Sequence, residues 1–338
     1  MEAFLIAEWL GTEDAIAIAD DASVSEARLR ARRVAAEQGL GLVQAERLVL
    51  IASELARNQL RHAWRGQIAV RAIARGEQRG VEIVAVDEGP GISDPELGLR
   101  GVPRGAGSLG VGLAAARENA DEIDFDVRIQ EGTVVRARVF ENEVPRRREV
   151  GVFGRPYRLE RQSGDHACFF RSEDRLLIGV CDGLGHGAPA REASGMAMRT
   201  FAAHRTASPQ AILEECHGAL GPTRGVVMSV VSLPEGAGSC LDLASVGNIT
   251  IELVRPRGAR RFAASSFVLG SPRRGWRPHV EAAPFQPDET LIVFTDGISS
   301  RSSISEDLEL LREHPIVIAQ RLVQRFGRDD DVLVLVAR

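Results

Sequence analysis

The spacing of hydrophobic residues predicts the helices and strands of the first half of the chain. Residues 44–62 place Leu48, Ile51 and Leu55 at helical spacing, so this segment is expected to form one helix. Two strand-like runs, 67–74 and 80–86, follow and are joined by a glycine-containing turn. The whole half gives the order β-α-α-β-β-α-β-β, which is typical of helices that cover one face of a mixed sheet.

Strand patterns dominate the second half, and helical patterns lie between them. The strand patterns are 226–233, 240–246, 249–254, 291–294 and 332–336, and the helical patterns are 188–204, 209–220 and 315–326. We therefore assign both halves to the α/β (α+β) class, each as a sandwich of sheet and helix. The sequence contains no internal repeat and no low-complexity tract long enough to indicate disorder.

Aspartates stand at the ends of several of these hydrophobic runs. Asp182 ends the strand of LLIGVCDGLGHG, Asp296 ends that of LIVFTDG, and Asp329–Asp331 directly precede the last strand. A single aspartate in such a place most often forms a turn or caps a helix. Several strand ends that offer carboxylates around one spot instead suit hard divalent cations such as Mg²⁺ or Mn²⁺. Asp165, in SGDHACFF, could join them.

These motifs resemble those of the bacterial metal-dependent type 2C protein-serine/threonine phosphatases of the SpoIIE/RsbX branch, over roughly 150–338. The resemblance implies a β-sandwich flanked by helices and a site for two metal ions. Asp182 would bridge both ions, and the Gly183 carbonyl would join it. Asp165 would serve one ion, while Asp296 and Asp330 would serve the other. Two cations about 3.5–4 Å apart neutralise a phosphoserine monoester and lower the pKa of a bridging water.

Three features bear on this phosphatase interpretation. Leu333 stands where the family usually has threonine, which puts the local hydrogen bonding in question but not the ligands. The four cysteines lack a CxxC spacing, and none precedes the phosphate loop of a cysteine phosphatase, so we interpret them as core residues in a reducing compartment. His186 could protonate a leaving group, although a structural role in its turn is the favoured interpretation.

The first half carries different motifs. Glu54 and Asn58 stand four residues apart on the predicted helix, so their side chains lie on one face. The second strand ends in DEGPGI, 87–92, and GAGSLGVGLAAARENA, 105–120, is a glycine-rich loop that runs into a helix. A helix start of this kind offers free backbone N–H groups to phosphates, but a lone glycine-rich loop is weak evidence.

The order and spacing of these motifs, with a GT pair at 132–133, resemble the GHKL ATP-binding fold from about residue 16 to 140. The most similar branch is that of the RsbT-like serine kinases that act on anti-sigma-factor antagonists. The resemblance implies that Asn58 coordinates Mg²⁺, Glu54 acts as general base and Asp87 hydrogen-bonds the adenine amino group. It also implies that glycines allow close approach to the nucleotide and cradle its phosphates: Gly89 and Gly91, then Gly107, Gly110 and Gly112.

Two other kinds of GHKL protein are excluded. A sensor histidine kinase needs a phosphoacceptor histidine upstream of these motifs, and no histidine precedes His62. Topoisomerase-type and chaperone-type relatives need large additional domains. The segment between 92 and 107 is short, so any lid over ATP is expected to be small.

The length and the charge of the chain limit the number of domains and the kinds of partner that it can have. The chain has 338 residues, enough for two domains of ordinary size, which we place at 1–141 and 150–338 with a solvated linker at 142–149. The net charge is −5 and no basic stretch is interleaved with aromatic residues, which argues against nucleic acid as a partner. No segment has the roughly 20 apolar residues of a membrane span, and the start lacks a basic leader, so a soluble, cytoplasmic protein is expected.

The sequence thus leads to one preferred function and leaves two others open. The preferred one is a bifunctional regulator of a stressosome or partner-switching pathway. It would join an ATP-dependent protein-serine/threonine kinase to a phosphatase requiring Mg²⁺ or Mn²⁺, with STAS-domain proteins as partners. In the second, the first half binds a sigma factor or another partner, and ATP is a regulatory ligand. In the third, only the phosphatase is catalytic.

Overall fold

The computed structural model describes residues 15–101, 110–158, 160–235, 240–255, 258–272, 275–286, 288–299 and 301–338. The chain divides into two compact units, one within 6–150 and the other within 151–338. Among the described residues, none of the helices combines the length and the apolar character needed to cross a membrane.

The first unit is an antiparallel sheet with helices packed on it. Its strand order is β1-β2-β3-β5-β4, and neighbouring strands are antiparallel throughout. Along the chain the elements are β1 (Ala15–Ile18), α1 (Asp21–Glu37), α2 (Leu42–His62), β2 (Arg65–Arg75), β3 (Gln78–Glu88), α3 (Pro95–Leu99), α4 (Gly110–Asn119), β4 (Glu122–Arg128) and β5 (Gly132–Phe140).

Local sequence explains where the first two helices begin and how they pack. Asp20 caps α1 by accepting a hydrogen bond from the Ser23 backbone N–H at 2.8 Å, and the Ser23 side chain reaches back to the cap. The helical stripe on α2 buries Leu48 and Ile51 completely, together with Leu55 at 2 % exposure. The buried stripe therefore fixes the rotation of α2 about its axis, and with it the direction of its polar residues.

The second unit contains two sheets, ordered β6-β15-β14-β11-β12 and β13-β10-β9-β8-β7. Helix α5 packs on β7 and β8, α6 packs on β9 and β10, and α7 packs on β15. The elements are β6 (Val150–Arg155), β7 (Asp165–Arg171), β8 (Arg175–Gly183), α5 (Ala188–Ala203), α6 (Pro209–Ala219), β9 (Val226–Pro234), β10 (Cys240–Val246), β11 (Thr250–Arg255), β12 (Gly258–Arg261), β13 (His279–Pro284), β14 (Thr290–Phe294), a 3₁₀ turn (Leu310–Arg312), α7 (Pro315–Phe326) and β15 (Val332–Ala337).

The expected fold class is confirmed, and the strongly patterned elements lie within two residues of their predicted bounds. The elements that the pattern missed lie mainly at sheet edges. Strand β12 is the polar run GARR, and β13 exposes half of Val280, so neither has a continuous hydrophobic face. Their strand conformation depends on pairing with β11 and β10, which hydrophobic periodicity does not report.

The predicted linker, 142–149, contains both exposed and buried residues. Val144 and Arg148 are buried, at 9 % and 8 % exposure. The Pro145 carbonyl accepts a hydrogen bond from the Arg75 guanidinium at 2.8 Å. This hydrogen bond joins the segment to strand β2 of the first unit.

Candidate functional sites

Helix α2 presents Glu54 and Asn58 to the start of α4. A Cβ atom added at Gly112 would lie 2.8 Å from Glu54 Oε2 and 3.2 Å from Asn58 Oδ1, so the two side chains come close to the backbone of α4 at this glycine. Asn58 Nδ2 is buried and has no hydrogen-bond partner among the residues that the structure describes. A buried donor without a partner is costly, so this amide is suited to bind a ligand that enters beside it.

Asp87 lies at the end of β3, opposite Thr133 of β5. Burial raises the pKa of its carboxyl to about 7, and hydrogen bonds from the backbone N–H groups of Thr133 and Gly89 oppose that rise. Asp87 opens into a cavity of about 90 Å³. The cavity is enclosed by helix and strand residues that are mainly apolar: Leu55, Asn58, Gln59, His62, Ala63, Ala85, Pro90, Gly91, Ile92, Leu113, Thr133 and Val135.

The structure describes the surroundings of only some of the glycines that were predicted to lie at the nucleotide. A Cβ atom at Gly89 would lie 2.8 Å from Asp87 Oδ1, and one at Gly91, whose φ is +74°, would lie 2.7 Å from a backbone carbonyl. Gly110 is the first described residue of α4. Gly107 lies outside the described residues. Asp87 and the unpaired Asn58 amide would offer polar partners to a nucleotide, although the cavity between them, at about 90 Å³, is smaller than a whole nucleotide.

Replacing Asp87 by asparagine is expected to stabilise the nucleotide-free protein at alkaline pH. The folded-state pKa lies above the ordinary value of 3.8, so the contribution of Asp87 to stability is present at low pH and is lost as pH rises through about 7. Asparagine carries no charge to bury, so its advantage should grow from pH 5 to pH 8. Calorimetric unfolding of both proteins without nucleotide measures this; an equal difference in Tm at the two pH values would contradict it.

In the second unit, β7 and β8 bring two aspartates side by side. Asp165 and Asp182 are direct partners in the antiparallel register. Asp165 is 1 % exposed and accepts a hydrogen bond from Thr295 Oγ1 at 2.6 Å. Burial, followed by the nearby Asp182 carboxylate, raises the pKa of Asp165 well above its ordinary value, while the Thr295 hydroxyl opposes that rise.

Asp182 and Asp296 complete a dense group of negative charge. Burial, then the Asp296 and Asp330 carboxylates, raise the pKa of Asp182 to about 7. Burial and Asp330 also raise the pKa of Asp296, against the nearby Arg328 cation. Asn248 Nδ2 donates to Asp296 Oδ2 at 2.7 Å, which fixes the orientation of this carboxylate. Each carboxylate therefore disfavours the charge of its neighbours.

The three consecutive aspartates before β15 have different environments. Asp329 is exposed and forms an ion pair with Arg158. Asp331 is buried, and its carboxylate accepts the backbone N–H groups of Tyr157 at 2.6 Å and Gly164 at 2.8 Å. Asp330 lines the same cavity as Asp165, Asp182 and Asp296. Asp330 and Asp331 therefore both line the cavity, and Asp331 in addition clamps two loops.

Backbone contacts hold this group of aspartates in place. A Cβ atom at Gly183 would lie 2.2 Å from the Ala190 carbonyl, so glycine is required where β8 meets α5. Leu333, where the sequence departs from the family pattern, donates its N–H to Thr295 Oγ1 at 3.0 Å and accepts the Thr295 N–H. Thr295 therefore supplies a side-chain hydroxyl close to Leu333. His186 is exposed and contacts Glu160 at 3.1 Å.

The aspartates surround a cavity of about 670 Å³. Among the described residues, no three Asp, Glu, His or Cys side chains converge closely enough to form a ready-made metal cage. The donor set nevertheless fits Mg²⁺ or Mn²⁺, because these ions prefer oxygen ligands and Mg²⁺ keeps several waters beside one or two carboxylates. The mutual effect of the carboxylates on their pKa values is also what a divalent cation would relieve.

Three residues of this group were missed by sequence reasoning. Thr295 directly precedes the recognised Asp296, Asn248 follows a glycine after β10, and Asp331 was not separated from its neighbours. A hydroxyl beside a strand-end aspartate could have signalled Thr295. Nothing in the local sequence marks Asn248, because its contact with Asp296 spans 48 positions of the chain.

Comparisons with known proteins agree with the two units. The family model described as histidine kinase-like ATPase domain matches residues 17–139, and the model of stage II sporulation protein E (SpoIIE) matches 172–338. The serine/threonine-protein kinase RsbT of Bacillus subtilis (strain 168) is 33 % identical over 128 residues, which are 38 % of this chain and 96 % of RsbT.

Two solved structures are similar to more than half of the chain. One comes from work on the bacterial stressosome as a modular system adapted to control secondary messenger signalling; it is 27 % identical, with a TM-score of 0.52, over 57 % of this chain and all of its own. The other is RsbX in complex with magnesium, 22 % identical with a TM-score of 0.50, over 58 % of this chain and 96 % of RsbX. The RsbX likeness shows the fold alone.

Proposed function

Because this chain belongs to the RsbT family of serine/threonine kinases through its first half and carries a SpoIIE-type phosphatase domain in its second, we propose that it is a bifunctional regulator of protein phosphorylation. The observation that carries the proposal is that each unit holds its own group of polar residues around its own cavity. We assign the kinase to 1–141 and the phosphatase to 150–338.

In the kinase unit, Glu54 and Asn58 stand against the start of α4, where a helix begins and backbone N–H groups are unpaired. Asp87 would accept a hydrogen bond from the adenine amino group in the neighbouring cavity. Asn58 would hold the Mg²⁺ that accompanies ATP, and Glu54 would accept the proton of the attacking hydroxyl. Phosphoryl transfer depends mainly on such positioning and on charge neutralisation.

In the phosphatase unit, Asp182, Asp165, Asp296 and Asp330 would hold two divalent metal ions, together with the Gly183 carbonyl. When bound, such ions neutralise the phosphate and provide a hydroxide at neutral pH. Thr295 keeps Asp165 oriented by its hydrogen bond of 2.6 Å. Asn248 orients Asp296, and the Asp331 N–H donates to Asp330 Oδ1 at 2.9 Å, so these two carboxylates have protein donors before the phosphate arrives.

Both units are proposed to act on STAS-domain proteins of a stressosome or partner-switching pathway. The support is the membership of the first half in the RsbT family and the likeness to a structure from work on the stressosome. If both activities ran freely on one target, the net reaction would be hydrolysis of ATP. We therefore propose that partner proteins gate one of the two activities or that the two targets differ.

Labelled ATP tests this proposal together with the STAS-domain protein encoded nearest to this gene. The wild-type protein should transfer the γ-phosphate to a serine or threonine of that protein, and Mn²⁺ should accelerate its subsequent release as inorganic phosphate. Binding of ATP without transfer would favour the partner-binding switch. Release of phosphate from a separately phosphorylated target, again without transfer, would leave the phosphatase as the one catalytic unit.

A further inference from the structure

The cavity of the phosphatase unit has one wall that carries no charge. The acidic part of its lining is formed by the aspartates described above, while five residues of the segment 264–271 form an uncharged part of the lining: Ala264, Ser266, Phe267, Val268 and Ser271. A cavity of about 670 Å³ lies within the range of roughly 300–1,000 Å³ that encloses a drug-sized ligand, so it has room for more than a phosphate group and its ions.

This neutral wall is anchored at two points to neighbouring strands. Ser265 pairs with the end of β10: its carbonyl accepts the Gly247 N–H at 2.7 Å. Leu269 is completely buried and exchanges backbone hydrogen bonds of 2.8 and 3.2 Å with Val226 of β9. Between these anchors Ser266, Phe267 and Val268 face the cavity, so their positions are determined by the two strands rather than left to a free loop.

Three rings pack together at the same segment, and one of them is Phe267 of the segment itself. Phe267 and Trp276 are stacked with centroids 4.9 Å apart and planes 6° from parallel. His217, in the last turn of α6, lies 4.7 Å from the Trp276 ring and 5.5 Å from the Phe267 ring. These separations are those of favourable aromatic pairs.

His217 also makes a directional contact. Its Nδ1 accepts the Gly270 backbone N–H at 3.1 Å, so the proton of the neutral ring is on Nε2. Gly270 has a φ of +87°, and a Cβ atom there would lie 2.7 Å from the Leu220 carbonyl at the end of α6. The segment therefore passes close over the C-terminus of α6, with His217 holding it by a hydrogen bond and by ring contact.

We propose that this neutral wall is a binding subsite for an apolar residue next to the phosphorylated serine or threonine of the substrate, and that His217 and Trp276 are its positioning residues. The inference rests on the proposed phosphatase function and specifies the substrate class of that site. The phosphate would lie on the acidic, metal-binding side, and the neighbouring side chain would pack against Phe267 and Val268. Acidic neighbours would be disfavoured by the surrounding aspartates.

Two synthetic phosphoserine peptides, identical except for leucine or serine beside the phosphoserine, test the subsite. With Mn²⁺, the wild-type protein should show a kcat/KM about tenfold higher for the leucine peptide, within the range that one apolar contact can provide. His217→Ala and Trp276→Ala should reduce this preference to about twofold while leaving hydrolysis of p-nitrophenyl phosphate unchanged within about twofold.

Two further variants distinguish a displaced neutral wall from a general loss of structure. His217→Asn keeps an acceptor for the Gly270 N–H and should recover part of the peptide preference. His204→Ala is the matched control, because His204 also lies at a helix end but contacts Thr200 of its own helix at 3.0 Å and the exposed side chain of Glu215 at 3.9 Å, away from the cavity lining; it should behave as wild type. Equal rates for the two peptides in the wild type, or equal losses on peptides and p-nitrophenyl phosphate in the variants, would overturn the subsite. Failure of the wild type to hydrolyse any of these esters would instead refute the phosphatase proposal.

Discussion

Asp182→Asn should abolish the phosphatase activity while ATP binding to the first unit stays unchanged. Asp182 on β8 is paired with Asp165 on the neighbouring strand β7. Burial and the carboxylates around the cavity raise the pKa of Asp182 to about 7. A neutral amide cannot replace the carboxylate that would bind both ions. The loss should therefore exceed the roughly 10–100-fold that removal of an outer-shell partner of a metal ligand costs. Mn²⁺-dependent hydrolysis of p-nitrophenyl phosphate measures the loss, and calorimetric titration measures ATP binding.

Asp329→Asn is the matched control for this variant. Asp329 belongs to the same acidic group of the sequence, but it is exposed and pairs with Arg158 outside the cavity. Water screens an exposed ion pair and leaves it little effect on stability, so Asp329→Asn should keep both the phosphatase activity and the stability of the protein. Hydrolysis that persisted in Asp182→Asn, or that disappeared equally in Asp329→Asn, would be inconsistent with the assigned metal ligands.

Glu54→Gln should bind ATP with nearly wild-type affinity but transfer phosphate poorly. The side chain lies against Gly112, beside Asn58, and its proposed role as general base is exerted only in the transition state. Loss of a general base typically costs roughly 10²–10⁴-fold in rate, and a decrease of that order in kcat is expected. Single-turnover transfer of labelled phosphate to the STAS-domain protein measures it, next to calorimetric titration of ATP.

Glu46→Gln provides the control on the same helix. Glu46 lies two turns before Glu54, is exposed, and pairs with Arg32 at 2.7 Å. Its substitution should leave both ATP binding and transfer unchanged. If Glu54→Gln transferred phosphate at the wild-type rate, Glu54 would not be the base. If it instead failed to bind ATP, its role would be in binding rather than in catalysis.

The sequence located the candidate residues because their signals are local. Asp182 and Asp296 each follow a hydrophobic run, and Glu54 and Asn58 share one helix face whatever the helix packs against. Strand tips and helix faces are defined within a few residues, so the pattern pointed to these residues, while the roles predicted for them came from the resemblance of the motifs to two families. The same holds for the strongly periodic elements, such as α2 and α7, whose buried stripes are long.

The tertiary structure decided which of the predicted site residues lie close together and which side chains hydrogen-bond to them. Asn248 reaches Asp296 across 48 positions, and Thr295 reaches Asp165 across 130. It also distinguished Asp329, which pairs with Arg158 outside the cavity, from Asp330 and Asp331, which both line it, although three adjacent aspartates look alike in sequence. The sequence determined the fold class and the chemical types at each site, because these depend on short-range periodicity and residue chemistry. The neutral wall of the phosphatase cavity depends on strands and a helix distant along the chain, and such long-range packing has no local signature.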